Sequence, residues 1–174
     1  LAQYRAGTMS VGVVMTGGTI AKTYDPSTAR LFNFETKVVE LISTLRTDDL
    51  EFEFYDLLHL DSLEIGAPER GLIIEKTIEL STLHDAILVT HGTDGMATTA
   101  EELCDCVANV PVPVIFTGAM IPYAVANSDA VQNVTEALLS LRLLPAGVYV
   151  AFHNRILSLP GVRKDYGNLT FSKG

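Results

Sequence analysis

Short uninterrupted apolar runs alternate along this chain with stretches whose apolar positions recur at helical spacing. Val11-Gly12-Val13-Val14-Met15 reads as a short buried strand. Glu35 to Thr44 carries Val38, Val39, Leu41, Ile42 and then Leu45 on one helical face. Phe52 to Tyr55, followed by Leu57-Leu58, predicts a second strand. Pro68 to Leu80 predicts a helix with proline in its first turn, where the missing N–H is no loss. Its apolar positions, Leu72, Ile73, Ile74, Ile78 and Leu80, fit the helical period only loosely. Ala86 to Thr90 is β-branched and unbroken, the pattern of a strand buried on both faces. Thr98 to Val107 predicts a helix capped by Thr98, with Glu101 and Glu102 near its positive end. Val112 to Thr117 is a further strand, and Gly118 to Pro122 the loop after it. Asn127 to Leu144 predicts a long amphipathic helix capped by Asn127 or Ser128, and Gly147 to Phe152 a fifth strand.

Strands alternating with helices predict an α/β fold: a three-layer sandwich, Rossmann-like, with a mainly parallel sheet flanked by helices. Residues 11–174 form the expected domain. Residues 1–10 are set apart as a flexible start or cloning remnant, because Leu1 to Thr8 fits no element and Met9 suits a natural start.

Composition narrows the classes. The chain has 174 residues, 48% of them hydrophobic, which suits one core-forming domain. A net charge of -9 argues against nucleic-acid binding, since phosphate contacts need clustered Lys and Arg. No apolar run is long enough to span a membrane, and the N-terminus lacks a signal-peptide pattern. Cys104 and Cys106 lie two apart on a predicted helix, where side chains do not face each other. They read as free thiols, and the expected location is cytoplasmic. The four histidines show no metal-ligand spacing, so neither a metal nor another cofactor is expected.

The chemistry gathers after two strands. Met15-Thr16-Gly17-Gly18-Thr19-Ile20 and Val89-Thr90-His91-Gly92-Thr93-Asp94-Gly95 each deliver a threonine past a glycine. The carboxyl ends of parallel strands are where open α/β sheets bind ligands. The first segment fits neither of the usual phosphate-loop patterns, which weighs against nucleotide binding. Taken alone it reads as a tight turn. Paired with the second, it offers Thr19 as a nucleophile and Thr93 as a second hydroxyl beside the Asp94 carboxylate. A threonine hydroxyl attacks well only when a base takes its proton. Lys164, in Val162-Arg163-Lys164-Asp165, is the candidate amine, held against Asp94. An ordinary solvated lysine is the competing reading. His91 is a candidate general base too, with a structural role at least as well supported.

These residues together resemble the L-asparaginase/glutaminase family of threonine amidohydrolases. The likeness runs from Val11 to about Ser172. It includes Asp61-Ser62-Leu63-Glu64, Gly118-Ala119-Met120 with Ile121-Pro122, Asn127-Ser128-Asp129 with Asn133, and Phe152-His153-Asn154-Arg155 leading to Lys164. It covers the family's N-terminal domain only; the smaller second domain has no counterpart in these residues. Departures are Gly95 in place of the family's threonine, Ala130 in place of its glycine, and an apolar run before Lys164. The resemblance implies that Thr19 attacks a side-chain amide of asparagine to form an acyl-enzyme, releasing ammonia and then aspartate. It implies Thr93, Asp94 and Lys164 as the proton-handling group, and backbone N–H groups near Thr19 and Thr93 for the oxyanion. Gly18, Asp61, Ser62, Gly92 and Ala119 would contact substrate, Ser62 with Asp94 gripping the α-carboxylate and α-amino group. Tyr24 is assigned as the loop tyrosine that closes the site, although gap-free counting favours Phe32. A homo-oligomer is also implied. The alternative is a catalytically weak or inactive domain that binds amino acids or a partner chain.

Overall fold

The computed structural model describes residues 5–33 and 36–174. Six strands make the main sheet: β1 (Met9–Gly17), β4 (Leu50–Leu60), β5 (Ala86–Thr90), β6 (Pro113–Thr117), β7 (Gly147–Phe152) and β8 (Arg155–Ser158). Their order across it is β4-β1-β5-β6-β7-β8. All neighbours are parallel except β7 and β8, which form an antiparallel edge pair. Two small hairpins stand outside the sheet: β2 (Lys22–Asp25) with β3 (Arg30–Asn33), and β9 (Val162–Asp165) with β10 (Thr170–Lys173). Four helices connect the strands: α1 (Thr36–Ser43), α2 (Ala67–Ser81), α3 (Met96–Cys106) and α4 (Ala130–Leu143).

Period-2 alternation sorts strand side chains to two faces. Val11, Val13, Met15, Ala86, Leu88 and Ile115 point to one core, where Val38, Leu41 and Ile42 of α1 meet Val134, Ala137 and Leu141 of α4. Val14, Ile87, Val89, Val114 and Phe116 point to the other, against Ile73 and Leu80 of α2 and Ala100 and Leu103 of α3. Two cores on opposite faces of one sheet make the three layers expected from the alternation.

Several local expectations are corrected. Strand β1 begins at Met9, so Met9 and Ser10 belong to the sheet. Residues 5–7 also lie against α4, since the Arg142 guanidinium donates to the carbonyls of Arg5 (2.8 Å) and Gly7 (3.2 Å). Glu35, the expected start of α1, lies outside the described residues, as do Leu1 to Tyr4. Helix α2 buries Ile73, Ile74, Thr77, Leu80 and Ser81, while Leu72 is half exposed. Thr77 and Ser81 complete its inner face because each hydroxyl donates to a carbonyl of its own helix, at Ile73 and Ile78. A polar letter hid a buried position there. Helix α3 starts at Met96, not Thr98, with Gly95 at its cap position and Thr98 exposed on its first turn. The cap position of α4 is Asp129, although the Ser128 hydroxyl does accept from the Ala130 N–H at 3.1 Å.

Candidate active site

The strand order brings the two threonine segments together. The direction in which successive strands are added reverses about β1: β4 lies on one side and β5 on the other. Ligands in open parallel sheets bind in the crevice where such a reversal occurs. Both segments leave the sheet there, Thr19 after β1 and Thr93 after β5. Gly18 sits at φ 78 and ψ -178, a conformation open in practice only to glycine. A methyl group at Gly18 would fall 2.5 Å from the backbone of Gly92. One at Gly92 would meet the Ser62 N at 2.8 Å. The loops bearing Thr19, Thr93 and Ser62 are therefore in backbone contact, and only glycines allow it.

Hydrogen bonds then link the polar groups. The Lys164 ammonium donates to Thr93 Oγ1 at 2.8 Å and to Asp94 Oδ1 at 2.7 Å. The Ser62 hydroxyl donates to Asp94 Oδ2 at 3.2 Å and accepts from the Asp94 N–H at 3.1 Å. Lys164 reaches the group from β9, a hairpin strand that packs on α3. The Glu101 carboxylate of α3 accepts from the Gly161 N–H at 3.1 Å and anchors that hairpin. The hydrogen bond from Lys164 is the main cause that holds the Asp94 carboxyl below its ordinary value. Partial burial opposes it; the lysine charge and the hydroxyls of Ser62 and Tyr166 reinforce it.

Thr19 stands half-buried at the start of a 3-10 turn (Thr19–Ala21). Among the described residues its hydroxyl has no hydrogen-bond partner, and the backbone N–H groups of Thr19 and Thr93 are likewise unengaged. Two free donors on touching loops, beside a free hydroxyl, suit an acyl-transfer centre.

The remaining predicted residues fall as follows. Asp61 is ion-paired to Lys22 at 2.7 Å. The Ala119 side chain is buried, in a loop pinned by Asp129. That carboxylate accepts from the N–H groups of Met120 (3.0 Å) and Ile121 (2.9 Å), from Asn133 Nδ2 (3.0 Å) and from His153 Nε2 (2.7 Å). Burial would raise the Asp129 carboxyl, but the N–H groups of Met120 and Ile121 and the His153 ring outweigh it and hold it low. Tyr24 lies on β2, 59% exposed and paired with Leu31; Phe32 pairs with Thr23. Among the described residues no hydrogen bond joins Tyr24 to Thr93, Asp94 or Lys164. His91 is fully buried, and burial pushes its ring down to about 4, so it is neutral near pH 7. Its Nδ1 donates to the Gly92 carbonyl at 2.8 Å, and Nε2 accepts from the Thr99 hydroxyl at 2.9 Å. His91 thus braces the Thr93 loop and has no free nitrogen for proton transfer. Sequence reasoning missed Tyr166. It opens the turn directly after β9, two positions past Lys164. With Asp94, Thr98, Glu101 and Lys164 it lines a cleft of about 550 Å3. Among the described residues no group of three His, Cys, Asp or Glu side chains is placed to hold a metal ion.

The family model "Asparaginase, N-terminal" matches residues 10–168. The chain belongs to the asparaginase family. The L-asparaginase of Thermococcus kodakarensis is 36% identical over 149 residues, covering 86% of this chain and 45% of that protein. The solved structure of the thermostable L-asparaginase from that organism superposes with a TM-score of 0.87 at 33% identity. That match covers 95% of this chain and 51% of the other. A glutamyl-tRNA(Gln) amidotransferase component from Methanococcus vannielii is 28% identical, over 84% of this chain and 35% of its own length. This asparaginase-family chain spans about half the length of the curated relatives it matches. Among the described residues, no helix is long and apolar enough to cross a membrane.

Proposed function

We propose that this domain hydrolyses the side-chain amide of L-asparagine to L-aspartate and ammonia through an acyl-enzyme on Thr19. The observation that carries the reading is the Lys164 ammonium, bonded to both Thr93 Oγ1 and Asp94 Oδ1 on the loop that touches the Thr19 loop. In the first step Thr19 Oγ1 bonds to the amide carbon. The proton it loses passes by way of the Thr93, Asp94 and Lys164 group to the departing nitrogen, and ammonia leaves. In the second step a water oxygen bonds to the acyl carbon, and its proton returns to Thr19 as the carboxylate is released. The Thr19 and Thr93 N–H groups stabilise the oxyanion in both steps. Ser62 and Asp94 hold the α-carboxylate and α-amino group of the substrate, with Gly18, Asp61, Gly92 and the Ala119 backbone completing the pocket. Tyr24 is assigned to its closure, on the hairpin that follows Thr19. Assembly as a homo-oligomer and a cytoplasmic location belong to the same proposal.

A binding domain without turnover is the second reading: among the described residues no hydrogen bond joins the Thr19 hydroxyl to the Thr93, Asp94 and Lys164 group that would take its proton. One experiment separates the two. Ammonia release is measured from L-asparagine and L-glutamine with wild type, Thr19→Ala and Thr93→Ala. Turnover in wild type that both substitutions abolish supports the hydrolase. No turnover, with a melting temperature that rises with aspartate, supports binding alone.

A further inference from the structure

Tyr166 belongs to no part of the mechanism above, yet the ring lies over its central cation. The Lys164 Nζ is 5.0 Å from the Tyr166 ring centroid. An ammonium carries three N–H donors. Two of Lys164's point at Thr93 and Asp94, and the ring face supplies an acceptor for the third. Burial agrees with this arrangement: the lysine side chain is 10% exposed, while Tyr166 itself is 65% exposed. One face of the ring meets the ammonium and the other meets solvent.

The turn that presents Tyr166 is also well braced. Asp165 Oδ1 accepts from the N–H groups of Gly167 (3.0 Å) and Asn168 (3.1 Å), and Oδ2 accepts from Asn168 Nδ2 (2.8 Å). Lys164 and Tyr166 thus leave one short hairpin together, with little freedom to separate.

We propose that Tyr166 is a positioning residue of this site, its ring closing the open side of the Lys164 ammonium and so keeping that ammonium on Thr93 and Asp94. The inference rests on the hydrolase reading for its kinetic consequence only. A lysine pinned on three sides stays aimed at Thr93 between steps. A lysine with one open side can swing into the cleft beside α3 and break the proton route.

The test uses the whole 174-residue chain as wild type, Tyr166→Phe and Tyr166→Leu. Carbon-13 NMR follows the titration of the Asp94 side chain, assigned with Asp94→Asn. Tyr166→Leu is expected to titrate Asp94 at higher pH than wild type, because a loosened Lys164 holds the carboxylate less firmly, while Tyr166→Phe keeps the ring and stays with wild type. With L-asparagine, Tyr166→Leu is expected to lower kcat roughly tenfold, the scale of a shielded cation–π contact. KM stays within about twofold, since no substrate contact is lost. Tyr166→Phe keeps the ring and is expected to stay within about twofold of wild-type kcat. An Asp94 titration or a kcat unmoved in Tyr166→Leu overturns the proposal. Equal losses in both variants overturn the role of the ring. A wild type without turnover removes the hydrolase reading, and the Asp94 titration then decides the placement of Tyr166 alone. Should Tyr166→Leu fail to fold, Tyr166→Met, which also lacks the ring, replaces it in both measurements.

Discussion

Breaking the Lys164–Asp94 pair from each side in turn tests the centre of the site. At 2.7 Å, and an effective dielectric near 20, the gross attraction is about 6 kcal/mol. Most of that is offset by desolvation and by water at Asp94, whose side chain is 32% exposed against 10% for Lys164. A double-mutant cycle over Lys164→Met, Asp94→Asn and the double variant should therefore give a coupling of about 1–2 kcal/mol by urea denaturation at pH 7. The sign of its pH dependence follows from Asp94. The folded carboxyl lies below its ordinary value, so the native state favours the ionised form. The coupling is present above the unfolded carboxyl's pKa of about 3.9 and fades as pH falls through the lower folded value. Turnover of asparagine in Lys164→Met should drop about 10^2 to 10^4-fold, the range for losing a proton-transfer group. A coupling of zero at pH 7, or one that persists unchanged into strong acid, would refute the ion-pair reading. Undiminished turnover in Lys164→Met would refute the mechanism.

Thr19→Ala should abolish ammonia release while shifting unfolding free energy by no more than about 0.5 kcal/mol, because its hydroxyl bonds to nothing among the described residues. Calorimetry beside the activity assay checks this, and a large loss of stability would show a structural role instead. Gly18→Ala should do the reverse, costing about 2 kcal/mol or more in urea unfolding from its φ of 78 and the contact with Gly92. Retained stability there would mean that the two loops can part. His91 carries a pH signature: buried and depressed to about 4, it binds its proton less readily folded than unfolded. Stability should fall by up to about 3 kcal/mol as pH drops from 6.5 to 4. His91→Gln should flatten that stretch of the curve.

How much was legible in the sequence varied with the source of the signal. Strands β5 and β7 and helix α4 stood out because they are buried on the faces that hydrophobic period reports. Lys164 was named in advance as the amine held against Asp94, against the competing reading of a solvated lysine, and the fold decided between the two by closing the roughly 70 residues that separate it from Thr93 and Asp94 along the chain. The β2–β3 and β9–β10 hairpins were invisible because Lys22–Asp25 and Val162–Asp165 are short and mostly polar. Thr77 misled because a hydroxyl satisfied by its own helix can lie in the core. Tyr166 went unnoticed for a different reason: nothing local marks an exposed tyrosine until its neighbour is known to be the site's cation.

The Lys164 ammonium is thus carried by a two-stranded flap, outside the six-stranded sheet whose β1 and β5 lead into the Thr19 and Thr93 loops. Small peripheral units open at lower free energy than central strands. Heat or mild denaturant should therefore silence the chemistry while the β1–β5 platform still protects its amides from exchange. The margin between inactivation and melting would measure how firmly Glu101 clamps the flap, and strengthening that clamp is the direct way to widen the working temperature range.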